Sequence, residues 1–368
     1  MTIPNSAREY FLPKLDTYDN LVIRTKEVAR PRANEVLVKV RAVSLQYRDL
    51  VIAKGDYPIG GSEVVPCSDM AGEIVEVGSD VKGWKAGDRV CANFSTDHIH
   101  GDPTAETLKT SLGGQSPGVL TEYRTFPAHS LVSIPSHLSY QEASTLPCAA
   151  LTAYNALHGP VPVKAGDYVL VLGTGGVSIF GLQLALASGA VVIATSSSDE
   201  KLKVASKLGA KHVINYNRTP NWDEEILKIT NNRGVDHVIE VGGQGSLPKS
   251  INAARYGGYL HLIGFLAQGE SDTATLVLSA IRKAVSLRGI LIGSVAQYVI
   301  FLPIFRAKHK KADHPVRFVD MNRLLSANPE VTRPVVDKVF PFEEAKQAYA
   351  YLASQAHVGK VVIKVSKD

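Results

Sequence analysis

Two rhythms of apolar and polar positions divide this chain. From 36 to about 126, short β-branched runs alternate with Gly, Pro and Asp: Val36-Leu37-Val38-Lys39-Val40, then Ile74-Val75-Glu76-Val77 between Gly72 and Gly78, then Gly87-Asp88-Arg89-Val90. Alternation punctuated by turn residues predicts antiparallel strands joined by hairpins. From about 150 the rhythm changes to apolar runs at 168–172, 191–195, 213–215, 237–241, 259–263 and 287–292, separated by stretches of helical spacing. Six such runs alternating with helices predict a doubly wound parallel sheet. A helical pattern over 342–354 leads into Lys360-Val361-Val362-Ile363-Lys364-Val365, a strand placed to close the first sheet. The predicted fold class is α/β, with a parallel-sheet unit at 150–298 inserted into a β unit made of 1–149 and 299–368.

The most informative short stretch is Gly173-Thr174-Gly175-Gly176-Val177-Ser178, at the point where the run 168–172 gives way to a helical pattern over 177–188. Glycine at a strand end permits a sharp turn, and glycine next to it lets the backbone approach a pyrophosphate. The helix N-terminus beyond offers unpaired N–H groups to the anion. Gly189 stops the helix and the next strand completes a strand–helix–strand unit, so the turn reads as a dinucleotide-phosphate cradle. Later strand ends, near Val241-Gly242-Gly243, Gly264-Phe265 and Gly293-Ser294, are expected to form the nicotinamide side, because ligands of open α/β sheets bind beyond the carboxyl ends of strands.

Composition narrows the class. The 368 residues are 45% hydrophobic and 20% charged, as expected for a globular enzyme. The net charge of +5 is partly local, in Lys308-His309-Lys310-Lys311, and no basic stripe interleaved with aromatics marks a nucleic-acid surface. Three widely spaced cysteines, Cys67, Cys91 and Cys148, argue for a reducing, cytoplasmic compartment rather than a disulfide framework. The N-terminus lacks the apolar core of a signal peptide, and no run reaches the ~18 to 20 apolar residues that span a bilayer. One stretch, 298–317, fits neither a parallel strand nor an amphipathic helix because Pro303 interrupts it; a surface excursion or oligomer contact is expected there.

Taken together, several motifs resemble the medium-chain dehydrogenase/reductase superfamily, in its zinc-independent quinone-oxidoreductase and alcohol-dehydrogenase-like branch. They are Val43-Ser44-Leu45-Gln46-Tyr47-Arg48-Asp49-Leu50 with Gly55-Asp56-Tyr57-Pro58, Asp69-Met70-Ala71-Gly72-Glu73-Ile74-Val75-Glu76-Val77-Gly78, Leu146-Pro147-Cys148-Ala149-Ala150-Leu151-Thr152-Ala153-Tyr154, the glycine turn, and Gly359-Lys360-Val361-Val362. The resemblance implies a GroES-like catalytic domain, a Rossmann NADP-binding domain, a small-molecule substrate and a homodimer, with no nucleic-acid or membrane partner. Thr152 and Lys360 join the glycine turn as implied cofactor contacts. Zinc-dependent relatives hold their catalytic metal with Cys, His and Cys, and the matching positions here are Gln46, Ser68 and Cys148, so no zinc is expected. Cys67, Cys91, His98 and His100 match no ligand spacing.

Without a metal, charge developing on a substrate oxygen needs another donor. Tyr57, Gln46, Tyr47 and Arg48 lie on the segment that the resemblance places over the nicotinamide. A tyrosine can donate its proton, whereas arginine stabilises charge but scarcely acts as an acid. Cofactor choice turns on 195–198. NAD-selective folds place an acid roughly 20 residues beyond the first glycine; here Ser196 and Ser197 stand there, with Lys201 one helical turn on and Tyr216 after the third strand. Hydroxyls and an ammonium favour a 2′-phosphate, so NADPH is the expected cofactor. Ser197 and Glu200 also have capping-box spacing. The reaction expected is hydride transfer to an activated carbonyl, quinone or conjugated double bond. The alternatives are an enoyl reductase acting on an acyl or polyketide-like substrate, or a catalytically silent cofactor-binding module.

Overall fold

The computed structural model describes residues 3–61, 63–266, 272–298 and 321–366. The chain opens with an antiparallel pair, β1 (Ser6–Phe11) and β2 (Val22–Glu27). Strand β3 (Glu35–Ser44) leads into a short helix, α1 (Tyr47–Ala53), and then come β4 (Asp69–Val77), β5 (Arg89–Ala92), the helical turn α2 (Ala105–Leu108), β6 (Tyr123–Pro127), β7 (Leu131–Ser133) and the turn α3 (Tyr140–Ala143). Burial alternates or is continuous along β3 and β4 as the hydrophobic pattern requires, and β3 pairs antiparallel with β4 and with β6.

A π-helical turn, Leu146–Ala150, runs straight into α4 (Leu151–His158) and carries the chain to the parallel sheet. There β8 (Tyr168–Leu172), α5 (Gly176–Ala187), β9 (Val191–Ser196), α6 (Asp199–Lys207), β10 (His212–Asn215), α7 (Trp222–Ile229), β11 (Val235–Glu240), α8 (Leu247–Ala253), β12 (Ala254–Leu262), α9 (Thr273–Lys283) and β13 (Ser286–Gly289) follow in turn. Among the described residues the strand order is β10-β9-β8-β11-β12-β13, all parallel, so the connection reverses direction between β8 and β11. This is the doubly wound, Rossmann-like arrangement, and the reversal opens a crevice at the strands' carboxyl ends. The last apolar run, predicted over 287–292, is shorter as a strand because Ile292 takes a left-handed conformation (φ 56°) that turns the chain away.

After α10 (Val295–Tyr298) and α11 (Met321–Ala327) the chain returns to the first sheet as β14 (Val336–Pro341), α12 (Ala345–Ala353) and β15 (Lys360–Lys364). Strand β15 pairs antiparallel with β3, as expected of a closing strand, and parallel with β14, which the sequence reading missed. In β14 only Phe340 is buried, and the other positions lie half-covered or exposed on a sheet edge, so it shows no clean alternation. Residues 299–320, which hold nearly all of the 298–317 excursion, lie outside the described residues; their flanks Tyr298 and Met321 are both buried in one core cluster.

That cluster is continuous between the sheets: Ala71 and Cys91 from the antiparallel one, Val169 and Val171 from the parallel one, and Leu151 and Tyr154 of α4 between them. Burial of such side chains, at roughly 1.5 to 3 kcal/mol each, is the main force setting the two sheets against each other. Two histidines interrupt the parallel sheet's apolar interior. His237 on β11 and His261 on β12 stack with ring centroids 5.4 Å apart, and Nδ1 of the first lies 3.1 Å from Nε2 of the second. Burial depresses both, and the neighbouring His237 and Arg288 help push His261 down to about 3.

The pair is neutral in the folded chain at neutral pH, while in the unfolded chain each ring protonates near pH 6.5. Between about 6.5 and 3 the unfolded state therefore binds more protons, and stability falls as pH falls, by up to about 1.4 kcal/mol per unit for His261. Denaturant titrations at pH 7 and pH 5 check this. Wild type loses more stability on acidification than His261→Gln, and an equal loss in both would assign the acid sensitivity to other groups.

Candidate active site

The cleft at the carboxyl ends of β8 and β11 has a volume of about 810 Å³. Its floor is the glycine turn. Gly173 is left-handed (φ 72°), a conformation that strains any residue with a Cβ. Gly175, in extended backbone, caps α5 and faces open space. Gly176 is needed for another reason: a Cβ there would lie 2.4 Å from Cδ of Lys360, whose side chain crosses the turn. Ser178 Oγ donates to the Leu172 carbonyl at 2.6 Å and closes the turn. The free N–H groups at the start of the twelve-residue α5 make an anion site beside the Lys360 ammonium, so the cradle fits a dinucleotide pyrophosphate.

Gly359 N–H donates to the Thr174 carbonyl (2.9 Å), and Lys360 Nζ donates to the Leu45 carbonyl (2.6 Å) while standing 3.9 Å from Asp69 Oδ2. The closing strand thus touches both halves of the cleft. Thr152, at the start of α4, lines the same region.

At the far end Ser196, Ser197, Lys201 and Tyr216 come together. The expected capping box is displaced by one residue: Ser198, not Ser197, caps α6 by accepting from Lys201 N, and Glu200 pairs with Lys203 at 2.6 Å. Ser197 keeps its hydroxyl for the cleft because the helix begins one residue later than the motif implied. Asp199, the nearest acid, pairs with Arg218 and accepts from Asn215 Nδ2 at 2.6 Å. Lys201 Nζ donates to the Gln355 carbonyl, from a segment between α12 and β15 to which the sequence reading gave no role.

On the nicotinamide side Val241, Gly242, Gly264 and Phe265 line the cleft, as expected. The residue that shapes this edge was missed. Glu240 is fully buried and accepts from Gly242 N (2.8 Å), Gly243 N (3.0 Å), Ser246 Oγ (2.6 Å) and Ser250 Oγ. A buried acid ending a strand just before two glycines was the available signal. Gly264 is required because a Cβ would sit 2.5 Å from the Val241 carbonyl oxygen. Gly293 and Ser294 are not brought into the cleft; Ile290, Leu291 and Ile292 line it instead. Gly293 makes room for Leu151 (2.8 Å from a Cβ), and Ser294 is buried with its N–H on Gln297 Oε1 (2.9 Å).

The catalytic candidates converge on the opposite wall. Gln46 caps α1, its N–H on Asp49 Oδ2 at 2.9 Å. Its amide joins the three positions that match metal ligands in zinc-dependent relatives: Cys148 Sγ donates to Gln46 Oε1 at 2.6 Å, and Gln46 Nε2 donates to Ser68 Oγ and to Asp69 Oδ1 (3.2 Å). Burial pushes the Cys148 thiol well above its ordinary range, which keeps it protonated, and raises Asp69 to about 7 and Asp49 to about 6. With an amide and a hydroxyl at two of the three positions, bonded within the wall, the set does not fit a catalytic zinc, which takes thiolate, imidazole and carboxylate donors. Cys67 meets the Tyr349 hydroxyl, Cys91 the Ala143 carbonyl and His98 the Gly101 carbonyl, so these expected bystanders are each occupied.

Arg48 lies between two rings, 4.5 Å from the Tyr57 centroid and 4.7 Å from that of Phe94, and donates to the Leu112 carbonyl at 2.9 Å. It pairs with no carboxylate among the described residues. Tyr57 lines the cleft and makes no side-chain hydrogen bond among the described residues. Tyr47 meets Phe265 edge-on across the mouth, centroids 5.9 Å apart.

Comparison with known proteins gives this geometry a family. Residues 32–136 match the alcohol dehydrogenase GroES-like domain and 176–306 match the zinc-binding dehydrogenase family. The chain is 46% identical over 358 residues to a zinc-type alcohol dehydrogenase-like protein of Schizosaccharomyces pombe, covering 96% of this chain and 97% of that one. It is 28% identical over 341 residues to a quinone oxidoreductase of Sus scrofa, covering 90% of each. A crystal structure of a candidate alcohol dehydrogenase from Sinorhizobium meliloti 1021 superposes with a TM-score of 0.85 at 35% identity, over 99% of this chain and all of that one. With its GroES-like and Rossmann-like sheets and its dinucleotide cleft, the chain belongs to the medium-chain dehydrogenase/reductase superfamily, in the alcohol dehydrogenase- and quinone oxidoreductase-like branch, and is an oxidoreductase that works with a nicotinamide cofactor.

Proposed function

We propose that this chain is an NADPH-preferring, zinc-independent reductase that acts on an activated carbonyl, a quinone or a conjugated double bond. The observation that carries this reading is the closed set Gln46, Ser68 and Cys148 beside a dinucleotide cradle: the ligand positions bond to each other, and two of them offer an amide and a hydroxyl in place of zinc's usual donors. NADPH, when bound, supplies the hydride. The chain's own residues do the rest. Both N–H bonds of the Gln46 amide point into the Ser68–Asp69 pair, so Gln46 positions the wall rather than donating to substrate. Tyr57 is the donor to the developing oxyanion, being a cleft-lining tyrosine with no hydrogen-bond partner among the described residues. Arg48, fixed by its two flanking rings, contributes a permanent positive charge behind Tyr57. Tyr47 and Phe265 form an apolar lip that keeps water from the reacting atoms and suits a flat, conjugated acceptor.

The preference for NADPH is supported by Ser196, Ser197, Lys201 and Tyr216 at the adenosine end and by the neutralisation of Asp199. The chain divides into a Rossmann unit at 150–298 and a GroES-like unit made of 1–149 and 299–368, whose C-terminal segment also reaches the cofactor cleft. We also assign it to a homodimer: Val277, Leu278, Ile281 and Leu287 expose an apolar face on α9 and on the edge strand β13, and a second copy provides the matching cover. Among the described residues no helix is long and apolar enough to cross a membrane.

Oxidation of NADPH followed at 340 nm, with a panel of quinones, enones, aldehydes and ketones, tests the reaction class. Turnover survives exhaustive chelation; about one tightly held zinc per active chain by elemental analysis would overturn the zinc-free reading. A panel in which only acyl thioester enoyl substrates react would favour an enoyl reductase.

Tyr57→Phe lowers kcat by roughly tenfold or more while NADPH affinity stays within about twofold, because the lost hydrogen bond strengthens as oxygen becomes anionic. Unchanged kcat on every substrate assigns Tyr57 to packing. Lys201→Ala weakens NADPH by about 5- to 150-fold and barely changes NADH. Equal losses for the two cofactors, or a wild-type preference for NADH, count against the assignment.

A further inference from the structure

The segment between α12 and β15 forms one wall of the cofactor cleft. Ser354, Gln355 and His357 line it, and Gln355 turns there through a left-handed conformation (φ 54°) with its carbonyl accepting from Lys201. Two residues beyond His357, Gly359 is bonded to Thr174 in the glycine turn, so the backbone fixes this segment against the phosphate cradle. The His357 imidazole makes no hydrogen bond to any described residue, and its Nδ1 is buried without a partner. A polar ring atom taken out of water unpaired is costly, and a ligand in the cleft relieves that cost.

The groups around this ring are of one prevailing sign. Lys201 approaches from α6 and Lys360 from β15; the Tyr351 ring of α12 lies 6.4 Å away. Asp337 of β14 is the one acid that acts on it, and that carboxylate already accepts from the Tyr351 hydroxyl (2.6 Å) and from Val358 N (3.1 Å). Lys201 and an unpaired imidazole line a cleft whose floor is a helix N-terminus, while the Lys360 ammonium is held on the Leu45 carbonyl.

We propose that His357 is a phosphate ligand of the bound dinucleotide, completing with Lys201 a cationic wall to which the C-terminal segment contributes. This rests on the reading of the cleft as a nicotinamide dinucleotide site. Burial, followed by Lys360 and Lys201, holds the imidazole of the free protein down to about 4, so it is neutral at pH 7. A phosphate beside it reverses the local field and favours the imidazolium. Binding then takes up a proton wherever the bound pKa exceeds the pH, and affinity rises as pH falls.

Titration of NADPH and of NADH at pH 6, 7 and 8, followed by cofactor fluorescence, tests this. Wild type binds roughly three- to tenfold tighter at pH 6 than at pH 8. His357→Gln keeps a hydrogen-bond donor and loses most of that pH dependence; His357→Ala binds about 5- to 20-fold more weakly at pH 7. Comparison with the Gln variant removes the contribution of the 2′-phosphate's own titration. A pH-linked gain with both cofactors identifies the diphosphate as the anion, and a gain with NADPH alone identifies the 2′-phosphate; either supports the proposal. Wild-type affinity and an unchanged pH profile in both variants overturn it while leaving the cofactor reading intact. Failure of the wild-type chain to bind either dinucleotide overturns both.

Discussion

The cleft depends on one backbone junction, the Gly359 N–H donated to the Thr174 carbonyl. A single net hydrogen bond contributes only about 1 kcal/mol, but this one sets a register. It holds β15 over the glycine turn while β15 is also paired with β3, and so it brings Lys360 across Gly176 and onto the Leu45 carbonyl. Gly359 is itself constrained: it is left-handed (φ 76°), and a Cβ would lie 2.3 Å from the Val335 carbonyl oxygen. Two glycines, Gly359 and Gly176, therefore serve one crossing, each for a different steric reason.

Around that junction the two walls are built by opposite electrostatic means. The phosphate wall gathers positive groups and helix N–H dipoles with little acid left uncompensated. The substrate wall gathers buried carboxyls, Asp49 and Asp69, and limits their cost with hydrogen bonds from Gln46 and Ser68 and the nearby Lys360 charge. Buried acids this poorly solvated titrate near neutrality, so the wall that meets the substrate is soft in charge. The wall that meets the cofactor is fixed.

Much of this was legible in the chain. The parallel strands and the glycine turn follow from long apolar runs with glycine punctuation, and the cleft gathers all the nominated residues except Gly293 and Ser294. Those two failed because a glycine at a strand end has two uses, close approach to a ligand and close approach to a neighbouring side chain, and Leu151 took the second. Glu240 went unseen because its one signal, an acid ending a strand before two glycines, also fits ordinary turn chemistry, and its four donors are local. Strand β14 was hidden because its edge position leaves no clean alternation, and the wall at Ser354 to His357 because its partner Lys201 lies 154 residues away. Capping was legible in kind but off by one, since Ser197 and Ser198 are equally good caps until the strand before them fixes where the helix starts.

The closing strand also sets an order of assembly. Leu45 and Lys360 are 315 residues apart in sequence, yet each supplies one end of the same hydrogen bond. During synthesis the parallel sheet has all its strands before β15 is made, whereas the end of β3 at Ala42 to Ser44 waits with one edge open for most of the chain's length. An unpaired edge of that kind is a template for misassociation, and closing so long a loop is slow. The nascent chain therefore spends its most exposed interval with a finished cofactor fold beside an unfinished substrate wall, and competence for chemistry arrives only with the last strand.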